Sequence, residues 1–323
     1  MGHLFRSLNL ADAVAREGGR CVIATATRSK ELGRLVADRG HRVVDVSSGP
    51  PRSPLTESDA ANTANAAASN AADWVVVDHY GADDAYLDAF ADIRLCVFDD
   101  GSDRRLDTAD LVVDPSPTRA SPPDHRARWL IGPSFAQLNS AFAGARPASL
   151  ARTRPRPPLR LLITMGGADV LELTPSLVAA ATGALPDAEI CAVVGWFAQV
   201  DEWPASPRVR RVTGQTPRQM AARMLWADLA VATPSTTAFE LACLGVPAIL
   251  IPTAENQTRF VPAFAAHGAV VSGSADIRNG RLAAALASGE PPPEDRGRRW
   301  PSLCDGTGSD RVCSEMSRLC RAG

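Results

Sequence analysis

The chain has 323 residues, room for two ordinary domains that each bury a core. Lysine and arginine number 34 against 36 acidic residues, a formal net charge of −2, so nothing marks it as a nucleic-acid binder. The longest apolar runs are strand-sized, short of the roughly 20 residues that cross a bilayer, and no leader pattern opens the chain, so a cytoplasmic protein without membrane insertion is expected. Seven cysteines without a C-x-x-C pair read as small buried hydrophobes in a reducing compartment, with no metal site.

Gly2, His3 and Leu4 run straight into an amphipathic helix through about Glu17, with Leu4, Leu8, Ala11 and Val14 on one face and Gly18-Gly19 as its stop. A strand is expected at 21–26, a helix at 29–38 and a strand at 42–46. In a doubly wound domain a glycine turn opening a helix follows the first, central strand, and here that strand is missing before Gly2. A start assigned roughly ten residues late is preferred to a domain that dispenses with a strand of ordinary length. A Pro/Ser/Gly loop at 47–57 and an alanine-dense helix at 59–72 come next. Buried strands at 74–78 and 95–98 flank a helix at 83–90, and a further strand is expected at 111–114. The buried strands end in Asp78-His79-Tyr80-Gly81 and Asp99-Asp100, so polar groups gather at carboxyl ends, the edge where open α/β sheets bind ligands.

The composition then shifts to arginine, proline and alanine, which reads as an interdomain linker over 146–158 after a first domain of 1–145. A second α/β domain is expected over 159–304. Its first strand, 159–164, leads through Met165-Gly166-Gly167 to a helix at 174–184; strands at 190–194 and 209–212 and a helix at 217–226 follow. The strand 229–232 feeds Thr233-Pro234-Ser235-Thr236-Thr237, which opens a helix ending at Gly245 before a buried strand at 248–251. Helices at 260–267 and 279–287 and a strand at 269–271 precede a final helix, 305–323, expected to cross back to the first domain.

Three constellations carry chemistry. Ser235, Thr236 and Thr237 lie where the first amides of a helix have no internal partner, a spot suited to phosphate. Glu240, one turn further in, is placed to accept hydrogen bonds from a ribose diol; an ordinary capped helix with a solvated glutamate is the competing reading. The Gly2-His3 and Gly166-Gly167 turns let backbone approach a ligand and present helix amides, and His3 titrates in the range of a general base, unless it is simply a frayed terminal histidine. Asp78 and the Asp99-Asp100 pair offer carboxylates for acid and base roles, or caps for the following helices. No G-x-S-x-G elbow, Walker A loop or G-x-G-x-x-G fingerprint follows a strand, which argues against a serine hydrolase, an ATPase and a dehydrogenase.

The run Gly-His-Leu-Phe-Arg-Ser-Leu-Asn-Leu-Ala at 2–11, Val-Val-Asp-His-Tyr-Gly at 76–81, Phe-Asp-Asp at 98–100 and Gly-Pro-Ser-Phe-Ala at 132–136 resemble, in order, the UDP-sugar hydrolase family of pseudaminic acid biosynthesis. So do Thr-Met-Gly-Gly-Ala-Asp at 164–169, Ser-Thr-Thr-Ala-Phe-Glu-Leu-Ala-Cys-Leu-Gly-Val-Pro at 235–247, Glu-Asn-Gln at 255–257 and Asp-Gly-Thr-Gly-Ser-Asp-Arg at 305–311. That family is similar to the lipid-linked N-acetylglucosaminyltransferase of peptidoglycan synthesis. The resemblance implies a GT-B-like fold of two Rossmann-like domains with a nucleotide-sugar cleft between them, and release of UDP from a diacetamido-trideoxy sugar by water attack at the anomeric carbon. It implies His3 as base, Tyr80 and Asn256 beside the sugar, and Gly166 and Gly167 at the pyrophosphate. Gly2, Arg6, Asp78, Ser235, Thr236, Glu240 and Gln257 complete the substrate-binding set. No cofactor or metal is implied, since helix N-termini neutralise the leaving diphosphate. A monomer is expected. Two departures from the family pattern are Pro234, where it has glycine, and Glu172, where it has asparagine. A glycosyltransferase with a small acceptor in place of water, and a sugar-nucleotide-binding protein without catalysis, are the competing functions.

Overall fold

The computed structural model describes residues 2–27, 29–47, 55–100, 106–116, 126–153, 159–167, 169–196, 198, 206–288 and 299–322. They form two compact units, His3–Gln137 with Gly308–Gly323, and Leu138–Thr307.

In the first unit the helix α1 (Gly2–Arg16) precedes β1 (Val22–Thr25), α2 (Lys30–Ala37) and β2 (Arg42–Asp45). Then come α3 (Glu57–Ser69), β3 (Trp74–Val77), α4 (Asp84–Asp88), β4 (Arg94–Phe98), β5 (Leu111–Asp114) and β6 (Arg128–Ile131). Strands β3 to β6 form one parallel sheet in chain order, while β1 and β2 pair parallel in a separate two-stranded sheet. Side-chain alternation explains why both faces of the larger sheet are covered. Leu95, Val97 and Val112 pack with Leu87 and Phe90 on one face. Cys96, Phe98, Leu111 and Val113 pack on the other against Leu10 and Ala13 of α1 and Val312, Cys313 and Met316 of the last helix. The lower part of α1 turns Leu4 and Leu8 to Ile23, Leu32 and Val36, so one helix closes over both sheets.

The second unit opens with α5 (Ser140–Leu150) and continues through β7 (Arg160–Thr164), α6 (Thr174–Ala184), β8 (Glu189–Val194), β9 (Val209–Thr213) and α7 (Pro217–Trp226). After β10 (Leu229–Ala232), α8 (Thr236–Cys243) and β11 (Ala248–Leu250) come α9 (Glu255–Thr258), α10 (Val261–Ala266), β12 (Val270–Val271), α11 (Ser274–Arg278) and α12 (Arg281–Ser288). The last helix, α13 (Gly308–Ala322), belongs to the first unit. The six strands are all parallel, ordered β12-β11-β10-β7-β8-β9. The chain starts in the middle with β7, winds outward one way, then returns to β10 and winds the other way. This is doubly wound topology, and its switch point lies between β7 and β10.

The stretch expected as a linker from 146 is helical as far as Leu150, and the boundary between units falls after Gln137. Its arginines explain the difference. Arg146 donates to the carbonyls of Cys243, Cys304 (3.2 Å) and Pro301 (2.8 Å), and Ser149 Oγ donates to Leu244 O at 2.6 Å, so α5 serves the open carboxyl end of α8. Residues 154–158 of that stretch, and the prolines at 291–293, lie outside the described residues. The short helices α9 and α11 and the strand β6 were not expected; each is five residues or fewer, too short for a periodicity to register.

Candidate active site

Two polar centres stand at carboxyl ends of strands, one in each unit. In the first unit, His3 and Arg6 are three residues apart on α1 and so share a face. Both meet Asp78, the residue after β3: His3 Nδ1 lies 2.6 Å from Asp78 Oδ1, and Arg6 Nε donates to Asp78 Oδ2 at 2.8 Å. Arg6 Nη2 also donates to Asp78 Oδ1, and Nη1 donates to Asp100 Oδ1 at 2.6 Å. Tyr80 donates its hydroxyl to Asp100 Oδ2 at 2.8 Å and sets its ring edge-on to His3, centroids 4.6 Å apart and planes at 81°. The Arg6 guanidinium lies over the Phe98 ring at 5.0 Å.

Burial works against ionising Asp78, but the hydrogen bonds and charge of Arg6, with help from His3, outweigh it and hold the carboxyl below its ordinary value. An ionised carboxylate only accepts, so the proton of neutral His3 sits on Nδ1 and Nε2 keeps its lone pair. Asp78 and Asp100 are therefore engaged with Arg6, and the acid–base pairing of strand-end carboxylates considered from the sequence does not form between them. Asp99 is fully buried. The joining role of Arg6 was not legible, because 72 and 94 residues separate it from its partners.

In the second unit the switch point brings together the turns after β7 and β10. Gly166 has φ +81°, and a Cβ there would lie 3.7 Å from Thr233 Oγ1. Thr233 and Ser235 share a hydroxyl hydrogen bond of 2.9 Å. Ser235 occupies the N-cap position of α8 in extended conformation, yet its side chain makes no capping bond, whereas Thr56, Asn139 and Thr216 cap their helices. The first amides of α8, with half-buried Ser235 at its N-cap and Thr236 at its first position, thus open next to the Gly166 turn, an arrangement suited to anions. The helix that follows the Gly166-Gly167 turn differs from expectation. Asp169 accepts from the amides of Leu173 and Thr174, both at 3.0 Å, and from Thr174 Oγ1 at 2.6 Å, so the α6 N-terminus is already occupied. Asp169 (φ +43°) and Glu172 (φ +52°) both hold left-handed backbone, the region that asparagine tolerates better than glutamate.

The Glu240 carboxyl makes no hydrogen bond among the described residues, and burial pushes it up to about 8. Asn256 and Gln257 lie on α9, beyond β11. Gln257 Oε1 accepts from Thr253 N at 2.9 Å, which fixes the amide and leaves its nitrogen as donor; Asn256 is exposed. The structure therefore groups His3, Arg6, Asp78 and Tyr80 in one centre, and Gly166, Ser235 and Thr236 in the other. Gly2 opens α1 beside His3, with no atom within 4 Å of a Cβ built there. Thr233 is an addition to the expected set, its sequence signal being its position at a strand end, and Asp100, expected as a carboxylate of acid or base type, serves instead as a partner of Arg6 and Tyr80. All seven cysteines are free, and no helix among the described residues is long and apolar enough to cross a membrane.

The fold is that of the GT-B glycosyltransferases: α/β, with parallel sheets in two Rossmann-like units. MurG of Acinetobacter baumannii superposes with a TM-score of 0.66 at 13% identity, covering 98% of this chain and 96% of that one. The spinosyn forosaminyltransferase SpnP gives 0.66 at 16% identity, covering 98% and 96%. A UDP-GlcNAc 2-epimerase of Neisseria meningitidis, bound to UDP-GlcNAc, gives 0.62 at 12%, covering 98% and 97%. By sequence, the chain is 25% identical over 196 residues to the spore coat polysaccharide biosynthesis protein SpsG of Bacillus subtilis, covering 56% of this chain and 55% of that one. It is 21% identical over 273 residues to an uncharacterised protein of Methanocaldococcus jannaschii, covering 80% and 54%. The chain thus spans about half the length of these curated relatives. No family model matches it.

Proposed function

We propose that the chain is a nucleotide-sugar hydrolase that releases UDP from a UDP-linked, acetamido-substituted deoxy sugar. The observation that carries this reading is the His3–Asp78 pair. A carboxylate held ionised by Arg6 fixes the imidazole with Nε2 as the basic nitrogen, the state a general base needs. In the proposed step His3 Nε2 takes a proton from water and the water oxygen bonds to the anomeric carbon. The bond from that carbon to the diphosphate oxygen breaks, and its electron pair leaves with UDP. Gly166, Gly167, Ser235, Thr236 and the α8 amides hold the diphosphate and stabilise the charge that develops on it. Glu240 takes the ribose diol, and Tyr80, Asn256 and Gln257 contact the sugar side.

The solved GT-B neighbours include sugar transferases, which favours a second reading in which a sugar or envelope hydroxyl replaces water. The first test is release of UDP from UDP-linked diacetamido sugars. The wild type is expected to release UDP without an acceptor, and His3→Ala to lose at least about a hundredfold in kcat while still binding UDP, the lower end of what a general base supplies. Unchanged turnover in His3→Ala rules the base out.

A further inference from the structure

At the carboxyl edge of the second unit, three glycines stand level on neighbouring strands. The register pairs Thr164 with Val193 and Val194 with Thr213, which brings Gly166, Gly195 and Gly214 abreast just beyond the ends of β7, β8 and β9. They are small for a reason. A Cβ on Gly195 would stand 2.3 Å from Gly166 O and 2.4 Å from Gly167 O, so the loop after β8 is pressed against the glycine turn after β7. A Cβ on Gly214, which has φ +56°, would meet the six-membered ring of Trp196 at 3.2 to 3.3 Å. Trp196 follows Gly195 directly. Its ring rests on Gly214, its indole N–H donates to Gln215 O at 3.3 Å, and it is still 44% exposed.

A large aromatic held by its edge and from beneath presents a fixed, solvent-facing π-surface. Its place names the occupant's class. Trp196 lies one strand beyond the Gly166-Gly167 turn, on the side away from Ser235, and leans on the next strand. The step from the anion-binding turn to the ring is therefore one to two strand spacings of about 4.8 Å, the scale of a ribose between a phosphate and its base. We propose that Trp196 is the stacking shelf for the nucleobase of a nucleoside diphosphate whose phosphates lie at Gly166, Gly167 and Ser235. This rests on the diphosphate reading of that turn. Stacking uses the π-face that every base has, so the shelf accepts uridine and thymidine diphosphates alike and leaves discrimination between them to other contacts.

Calorimetric titration of the full chain with UDP, TDP and inorganic pyrophosphate tests the assignment, using the wild type, Trp196→Ala and Trp196→Phe. Trp196→Ala is expected to weaken both nucleotides about tenfold or more, Trp196→Phe to stay within about threefold of wild type, and pyrophosphate to bind all three equally. Equal weakening of pyrophosphate and UDP would mean that Trp196 only braces the loop, and the shelf is then wrong. Unchanged UDP affinity in Trp196→Ala also overturns it; a simultaneous change in sedimentation would identify a second copy of the chain as the occupant. If the wild type binds pyrophosphate with the same affinity as UDP, the shelf fails while the anion site stands. If it binds neither, the diphosphate reading itself has failed.

Discussion

Glu240 stands one turn into α8, half-buried. Its carboxyl is raised to about 8 by burial, without a hydrogen-bond partner among the described residues. An unfolded glutamate titrates near 4.3, so between about 4.3 and 8 the folded, ligand-free chain binds one proton more than the unfolded chain, and this group lowers stability as pH rises through that window. A ribose diol donating two hydrogen bonds favours the ionised form and reverses the shift. UDP binding at pH 7 is therefore expected to release a proton, and affinity to rise with pH up to about 8 and then level off. Calorimetry in two buffers of different ionisation enthalpy reads the proton directly; an identical proton count in Glu240→Gln would show that the carboxyl does not sense the ligand. The position of Glu240, one turn into α8, was legible because helix spacing fixes it relative to Ser235. Its lack of a partner was not, since that depends on what the surrounding strands leave out.

The elements of the second unit are tied together by arginines whose partners are far away in sequence. Arg152, just past α5, donates through Nη1 to Leu225 O (2.6 Å) and Ala227 O (2.7 Å) at the end of α7 and through Nη2 to Asp228 Oδ1. Asp228 is buried and also accepts from Arg160 N, the first residue of β7, at 3.0 Å. One guanidinium thus sets the angle between α5, α7 and the strand that carries the glycine turn. Removing it leaves a buried carboxylate without its counter-charge, and Arg152→Ala is expected to cost about 3–5 kcal/mol in urea unfolding, with Arg152→Lys recovering only part because a point charge does not reach the carbonyls and the carboxylate together. A loss under 1 kcal/mol would assign the pair a minor role. Composition alone made this arginine-rich stretch look like a linker. Its structure comes from carbonyls at the ends of α7 and α8, which no local pattern announces. Long strands and helices were legible because periodicity and glycine punctuation are local properties.

At the scale of the whole molecule, strand alternation was enough to read two α/β units, and the switch point then follows from the order in which parallel strands pair. Polar residues at strand ends located both centres before any geometry was known. Arg6 joining Asp78 to Asp100, and Trp196 lying on Gly214, required the fold. The two centres divide the proposed chemistry: an anion and nucleotide clamp in one unit, an oriented base in the other. That division makes the identity of the nucleophile the central claim, because a clamp of the same kind would serve a transferase equally well.

Turnover of a UDP-linked diacetamido sugar in oxygen-18 water, without any acceptor, tests it most directly. The account predicts one labelled oxygen at the anomeric carbon of the released sugar and none in UDP. Label in the diphosphate, or UDP release that begins only when a sugar acceptor is added, would contradict it.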